Sequence, residues 1–111
     1  MNQPNLFDLH TETIETERVL LYALGDFQSR GKLLEDRELA LDRLRGAFKR
    51  ACDKFEIAEF SDEQLAENLK KLDVKITKLP SFVAKHPFRI TVSKVVAANA
   101  QEIYKKELLN D

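Results

Sequence analysis

Few side chains in this 111-residue chain are equipped for covalent or acid–base chemistry. Nucleophilic catalysis needs a Ser or Cys with a base and an orienting group beside it. The sequence offers one cysteine, Cys52, and two histidines, His10 and His86, far apart along the chain. Cys52 lies beside an apolar stripe and reads as a buried structural thiol. The same residues give no ligand pair with the short spacing of zinc sites. Gly25, Gly31 and Gly46 stand too far apart to form a phosphate-cradling loop. Most carboxylates fall in the first turns of helices or on solvated faces. The expectation is a non-catalytic protein with no metal and no cofactor. The remaining enzyme reading has His86 as acid or base near Lys85 and Arg89.

A second group of residues is basic. Val74 and Ile76 alternate with Lys75 and Thr77, and Phe88, Ile90 and Val92 alternate with Arg89 and Thr91. With the apolar set facing the core, period-two geometry turns Lys75, Thr77, Arg89 and Thr91 to the opposite face. Lys78, Lys85, His86 and Lys94 fall at the strand ends and the connection. Lys75, Lys78, Lys85, Arg89 and Lys94 are therefore candidate phosphate contacts for a nucleic acid, with Phe82 as a wedge or stacking residue. The plainer use is a solvated hairpin face whose lysines discourage edge-to-edge pairing. Three helices followed by a two-stranded element resembles the order of a winged helix–turn–helix domain, which implies a nucleic-acid role for this region. The reading departs from that pattern in two ways: the second helix is long, and no separate recognition helix stands between Leu72 and the first strand.

The N-terminus carries a third candidate. Gln3-Pro4-Asn5-Leu6-Phe7 resembles the Gln-x-x-Leu-Phe peptide by which bacterial replication and repair proteins dock into the sliding clamp. Leu6 and Phe7 would fill apolar pockets while Gln3 hydrogen-bonds nearby. The resemblance covers five residues and implies Gln3, Leu6 and Phe7 as the contacts.

The scaffold that must position these residues is small. With 43% hydrophobic and 33% charged residues the chain has the composition of one globular domain. A net charge of −1 excludes a strongly basic nucleic-acid binder by total charge, yet Met1 to Asn68 carries −6 and Leu69 to Asp111 carries +5. A lone cysteine allows no internal disulfide and suits a reducing compartment. The longest apolar run, Val19 to Leu24, is far shorter than the roughly 20 residues of a membrane span. The N-terminus lacks the basic start and apolar stretch of a secretory signal. A cytoplasmic protein with no membrane contact is expected.

Residues 1–10 read as an extended arm, because Pro4 and two Asn disfavour helix and no period is present. A first helix follows, capped by Thr11 or Thr13, with Leu20, Leu21, Leu24 and Phe27 at helical spacing and Gly31 as its stop. Leu34, Leu41, Phe48 and Phe55 recur every seven residues with Leu44 and Ala51 between them, predicting one amphipathic helix from Leu34 to Phe55. That seam is either an intramolecular core face or the contact of a homodimer. Ser61-x-x-Gln64 with Phe60 and Leu65 around it forms a capping box and staple, so a third helix starts at Asp62. Two short strands and a final helix from Ser93 to about Leu109 complete the order. The expected fold is a mainly helical α+β domain over residues 11–111: three helices, a two-stranded β element and a C-terminal helix. The function expected from it is that of a small binding or adaptor protein acting through protein contacts, with a nucleic-acid-associated module as the alternative.

Overall fold

A helix whose residues 19 to 24 are all apolar has no polar face over those turns and belongs between other elements. The computed structural model, which describes residues 6–80, 82 and 87–109 with side chains from residue 15 onward, puts it there. Helix α1 (Leu6–Ser29) is flanked by α2 (Arg45–Phe55) and α4 (Lys94–Leu109), and Val19 to Leu24 are all buried. Both neighbours run antiparallel to it. Arg18 meets Glu107 at 3.6 Å while, toward the other end, Gln28 donates to the Ala97 carbonyl at 3.0 Å. Tyr22 stacks edge-on against Phe55 at 5.6 Å and packs on Tyr104 at 5.0 Å, joining the three helices. No proline interrupts Leu6 to Ser29, and Gly31 ends the helix at φ 78°, a conformation glycine adopts without steric cost.

The extended arm expected over residues 1–10 is corrected from Leu6 onward: that segment is the start of α1, so Thr11 and Thr13 lie inside the helix rather than capping it. Residues 1–5 lie outside the described residues.

The second correction is larger. Leu34 to Phe55 is not one helix. Glu38–Ala40 forms strand β1, Leu41–Leu44 a single 3-10 turn, and only Arg45–Phe55 is α-helical. Helix propensities among these residue types differ by less than about 0.7 kcal/mol each, so tertiary contacts overrule them. The Asp36 N–H donates to the Val92 carbonyl at 2.7 Å, and Leu39 pairs with Ile90 in the centre of the sheet. Asp36 takes a left-handed φ of 57° to make this entry. The seven-residue spacing survives as a core pattern all the same. Leu34, Leu41 and Phe48 are buried and Phe55 is half-buried beneath Tyr22, so the seam is spent inside the molecule and the homodimer contact drawn from it is set aside.

Strands β2 (Lys75–Lys78) and β3 (Phe88–Thr91) fall where the alternation predicts, but β1 makes the sheet three-stranded, antiparallel, in the order β1-β3-β2. Helix α3 (Asp62–Lys71) begins as expected. The Ser61 hydroxyl accepts from the Gln64 N–H at 3.2 Å, and Gln64 Oε1 accepts from the Ser61 N–H at 2.8 Å. Ser93 caps α4 by accepting from the Val96 N–H. With the long helix divided, α2 and α3 are two compact helices, and α3 stands immediately before β2. The departure set by a long second helix is thereby removed, while no further helix stands between Leu72 and β2.

The one buried charge among the described residues ties α1 to α2. Asp26 accepts from Arg30 Nε at 2.8 Å and from Arg50 Nε at 2.9 Å. Burial pushes the Asp26 carboxyl up, but the hydrogen bonds from Arg50 and Arg30 together outweigh it and hold the group below its ordinary value. A depressed folded value means the stabilisation is complete above the ordinary carboxylate range and is lost as pH falls through the folded value. Asp26→Asn should therefore cost about 1–2 kcal/mol at neutral pH, less than a fully buried pair because both guanidinium groups can rehydrate. Urea unfolding of both proteins at neutral and acid pH checks this: the gap between them should close in acid.

Candidate functional site

The turn after α3 positions the site. Leu72 and Asp73 reverse the chain, Asp73 at a left-handed φ of 65°, and the Val74 N–H bonds back to the Leu69 carbonyl at 3.2 Å. Strand β2 thus leaves from the foot of α3 and runs beside it, with an open groove of about 560 Å³ between the two. Helix α3 contributes Glu63, Ala66, Glu67 and Lys70 to it; the sheet contributes Ile76, Lys78 and Phe88. Ala66 is buried and Ile76 and Phe88 are half-buried, so the floor is apolar. The rim carries two carboxylates and two ammonium groups. Lys78 Nζ lies 5.3 Å from the centre of the Phe88 ring, a cation–π distance.

Strand order leaves β2 at the sheet edge. The Leu79 N–H donates to the Pro87 carbonyl at 2.8 Å, and this sets the phase of the ladder. In an antiparallel pair alternate residues exchange hydrogen bonds with the partner strand. Lys75, Thr77 and Leu79 therefore bond toward β3, and the backbone N–H and C=O groups of Ile76 and Lys78 point away from β3, along the edge beside the groove.

The basic residues separate. Lys75 and Arg89 do share the outer face of the sheet, in adjacent cross-strand rows: Glu38, Thr91 and Lys75 form one, Ala40, Arg89 and Thr77 the other. Glu38 places a carboxylate in that face. Lys78 is on the opposite side, in register with Phe88. Lys94 is exposed at the first turn of α4. Lys85 and His86 lie outside the described residues, as does Gln3, while Leu6 and Phe7 open α1 as helical backbone. Phe82, in the β2–β3 connection, is 90% exposed.

Of the three residues weighed for nucleophilic chemistry, the structure describes the side chain of Cys52 alone. It is buried in α2, and burial pushes its thiol up. A thiol reagent should leave native protein almost unlabelled and modify Cys52 fully once denaturant is added; rapid native labelling followed by absorbance would contradict the buried assignment.

Reasoning from the sequence missed the groove. Ile76 and Phe88 were legible as core-facing strand residues, but a four-residue strand with one open edge is visible only once its neighbours are known. Ala66, small and one position after Leu65 in the stripe of Leu65, Leu69 and Leu72, was the available signal. No family model matches the chain, and no curated protein or solved structure matches it either.

Proposed function

We propose that the chain is a small non-catalytic adaptor that holds a segment of a protein partner in the groove between α3 and β2. One observation supports this reading: the groove joins an apolar floor to a strand edge that pairs with no other strand among the described residues, the two features by which peptide segments are captured. A cytoplasmic setting suits its single buried thiol. Selection of displayed random peptides on the purified protein tests it. Selected peptides should shift the amide resonances of Ala66, Ile76 and Lys78 in the labelled protein. Peptides that all map to another surface would sink the reading.

A second reading is favoured by the element order, which is similar to that of winged helix–turn–helix domains, and by the shared face of Lys75 and Arg89. In it Lys75, Lys78, Lys85, Arg89 and Lys94 contact phosphates. Charge argues against the usual insertion of the helix before the strands, because α3 opens with Asp62 and Glu63 and carries Glu67 one turn on. Fluorescence anisotropy with labelled single-stranded and duplex oligonucleotides decides between the two. Binding that weakens steeply with salt and is lost on Lys75→Glu and Arg89→Glu would favour the nucleic acid; no binding at low salt would retire it.

A further inference from the structure

The outward backbone groups of Ile76 and Lys78 are the part of the groove with the most specific chemistry. Two N–H donors and two C=O acceptors, spaced at alternate residues, are a template for one more strand. The side chains of a strand added there would alternate. Those on the groove side would meet Ala66, Ile76 and Phe88; those on the other side would extend the row of Lys75 and Thr77.

The rim selects among such strands. Lys70 and Lys78 stand with Glu63 and Glu67 around one opening, so a ligand charge of either sign meets attraction and repulsion together. The outer row adds Lys75, which disfavours basic residues on the other side. A second copy of this chain fits poorly for the same reason: pairing two β2 edges would gather four lysines into one small sheet.

Resting on the groove reading, we infer that the occupant is an uncharged extended segment of a partner protein, with a β-branched apolar residue facing the groove and hydroxyl residues facing outward, added as a fourth strand on β2. Affinity comes from the main-chain ladder and the apolar contact. It is insensitive to salt.

The probe is acetyl-Thr-Thr-Val-Thr-Val-Thr-Thr-amide, titrated into the labelled 111-residue chain. The amides of Ile76 and Lys78 should shift, with a dissociation constant that changes less than about twofold between low and physiological salt. N-methylation of both valines removes donors from one edge of the peptide and should weaken binding about tenfold. Lys78→Pro removes the outward donor without touching the β2–β3 ladder and should weaken it comparably; the N-methylated peptide makes the same test on unaltered protein. Equal binding of the methylated peptide, or a clear preference for versions with Arg or Glu in place of Val, would overturn strand addition by an uncharged segment while leaving the groove reading intact. Absence of any groove shift with this probe overturns the inference. If display-selected peptides also avoid the groove, the adaptor reading falls with it. Dimerisation of the protein through β2 in solution would overturn the choice of occupant.

Discussion

Replacing Gly25 with alanine should destabilise the protein by about 2–3 kcal/mol, although the same change in an exposed helix stabilises by about 1 kcal/mol. The sign is set by the crossing of α1 and α4. A Cβ at Gly25 would lie 2.5 Å from the Ala100 carbonyl oxygen and 2.5 Å from Tyr104 Cβ. Neither is the end of a flexible side chain, so the helices themselves must separate. Separation loosens Tyr22 against Tyr104 and the buried faces of Ala97 and Ala100. Gly46 supplies the control. It is exposed in α2, and its added Cβ would meet only the Arg50 guanidinium, at 3.3 Å. Gly46→Ala should gain up to about 1 kcal/mol. Denaturant unfolding of the two variants gives opposite signs if the crossing is as close as described; a stabilised Gly25→Ala protein would show that it is not.

Phe48→Ala should cost about 3–5 kcal/mol. Phe48 is 4% exposed on the inner face of α2 and belongs to the same cluster as Leu41, Leu44 and Leu65. Local collapse does not replace the ring, because that cluster joins separate elements, among them the 3-10 turn, α2 and α3. Phe82→Ala, at the most exposed aromatic position of the described residues, should change stability by less than about 0.5 kcal/mol. A loss below about 1 kcal/mol at Phe48 in the same unfolding series would mean that the side chain is not part of the core.

Much of the fold was legible in the sequence. The capping box at Ser61 and Gln64, the stop at Gly31 and the cap at Ser93 are local signals, each completed by hydrogen bonds within a few residues, and the alternation of Val74 and Ile76 marks a strand whose partner is the next one along the chain. What failed was non-local. Glu38, Leu39 and Ala40 are good helix formers in a helical pattern, and only Thr91, Ile90 and Arg89, far along the chain, make them a strand. Leu34, Leu41, Phe48 and Phe55 were rightly chosen as core or core-flanking residues for the wrong reason, since burial and helical periodicity coincide there without a common helix. The candidate site was less legible still. The basic residues were correctly assigned to faces at Lys75 and Arg89, but their charge is interrupted by Glu38, and the groove depends on an edge that no single segment encodes.

Strand β1 also bears on how the molecule is made. Before β3 has joined it, Leu34 to Phe55 has the periodicity of one continuous helix, with Gly46 the main local residue against it. A helix formed there before β3 docks has to unwind from Glu38 to Ala40 for the sheet to close. Refolding followed by far-ultraviolet ellipticity should overshoot the native signal before settling back, and a monotonic approach would show that β1 never passes through helix. An overshoot would mark β1 as the segment that joins the sheet only after giving up its helix.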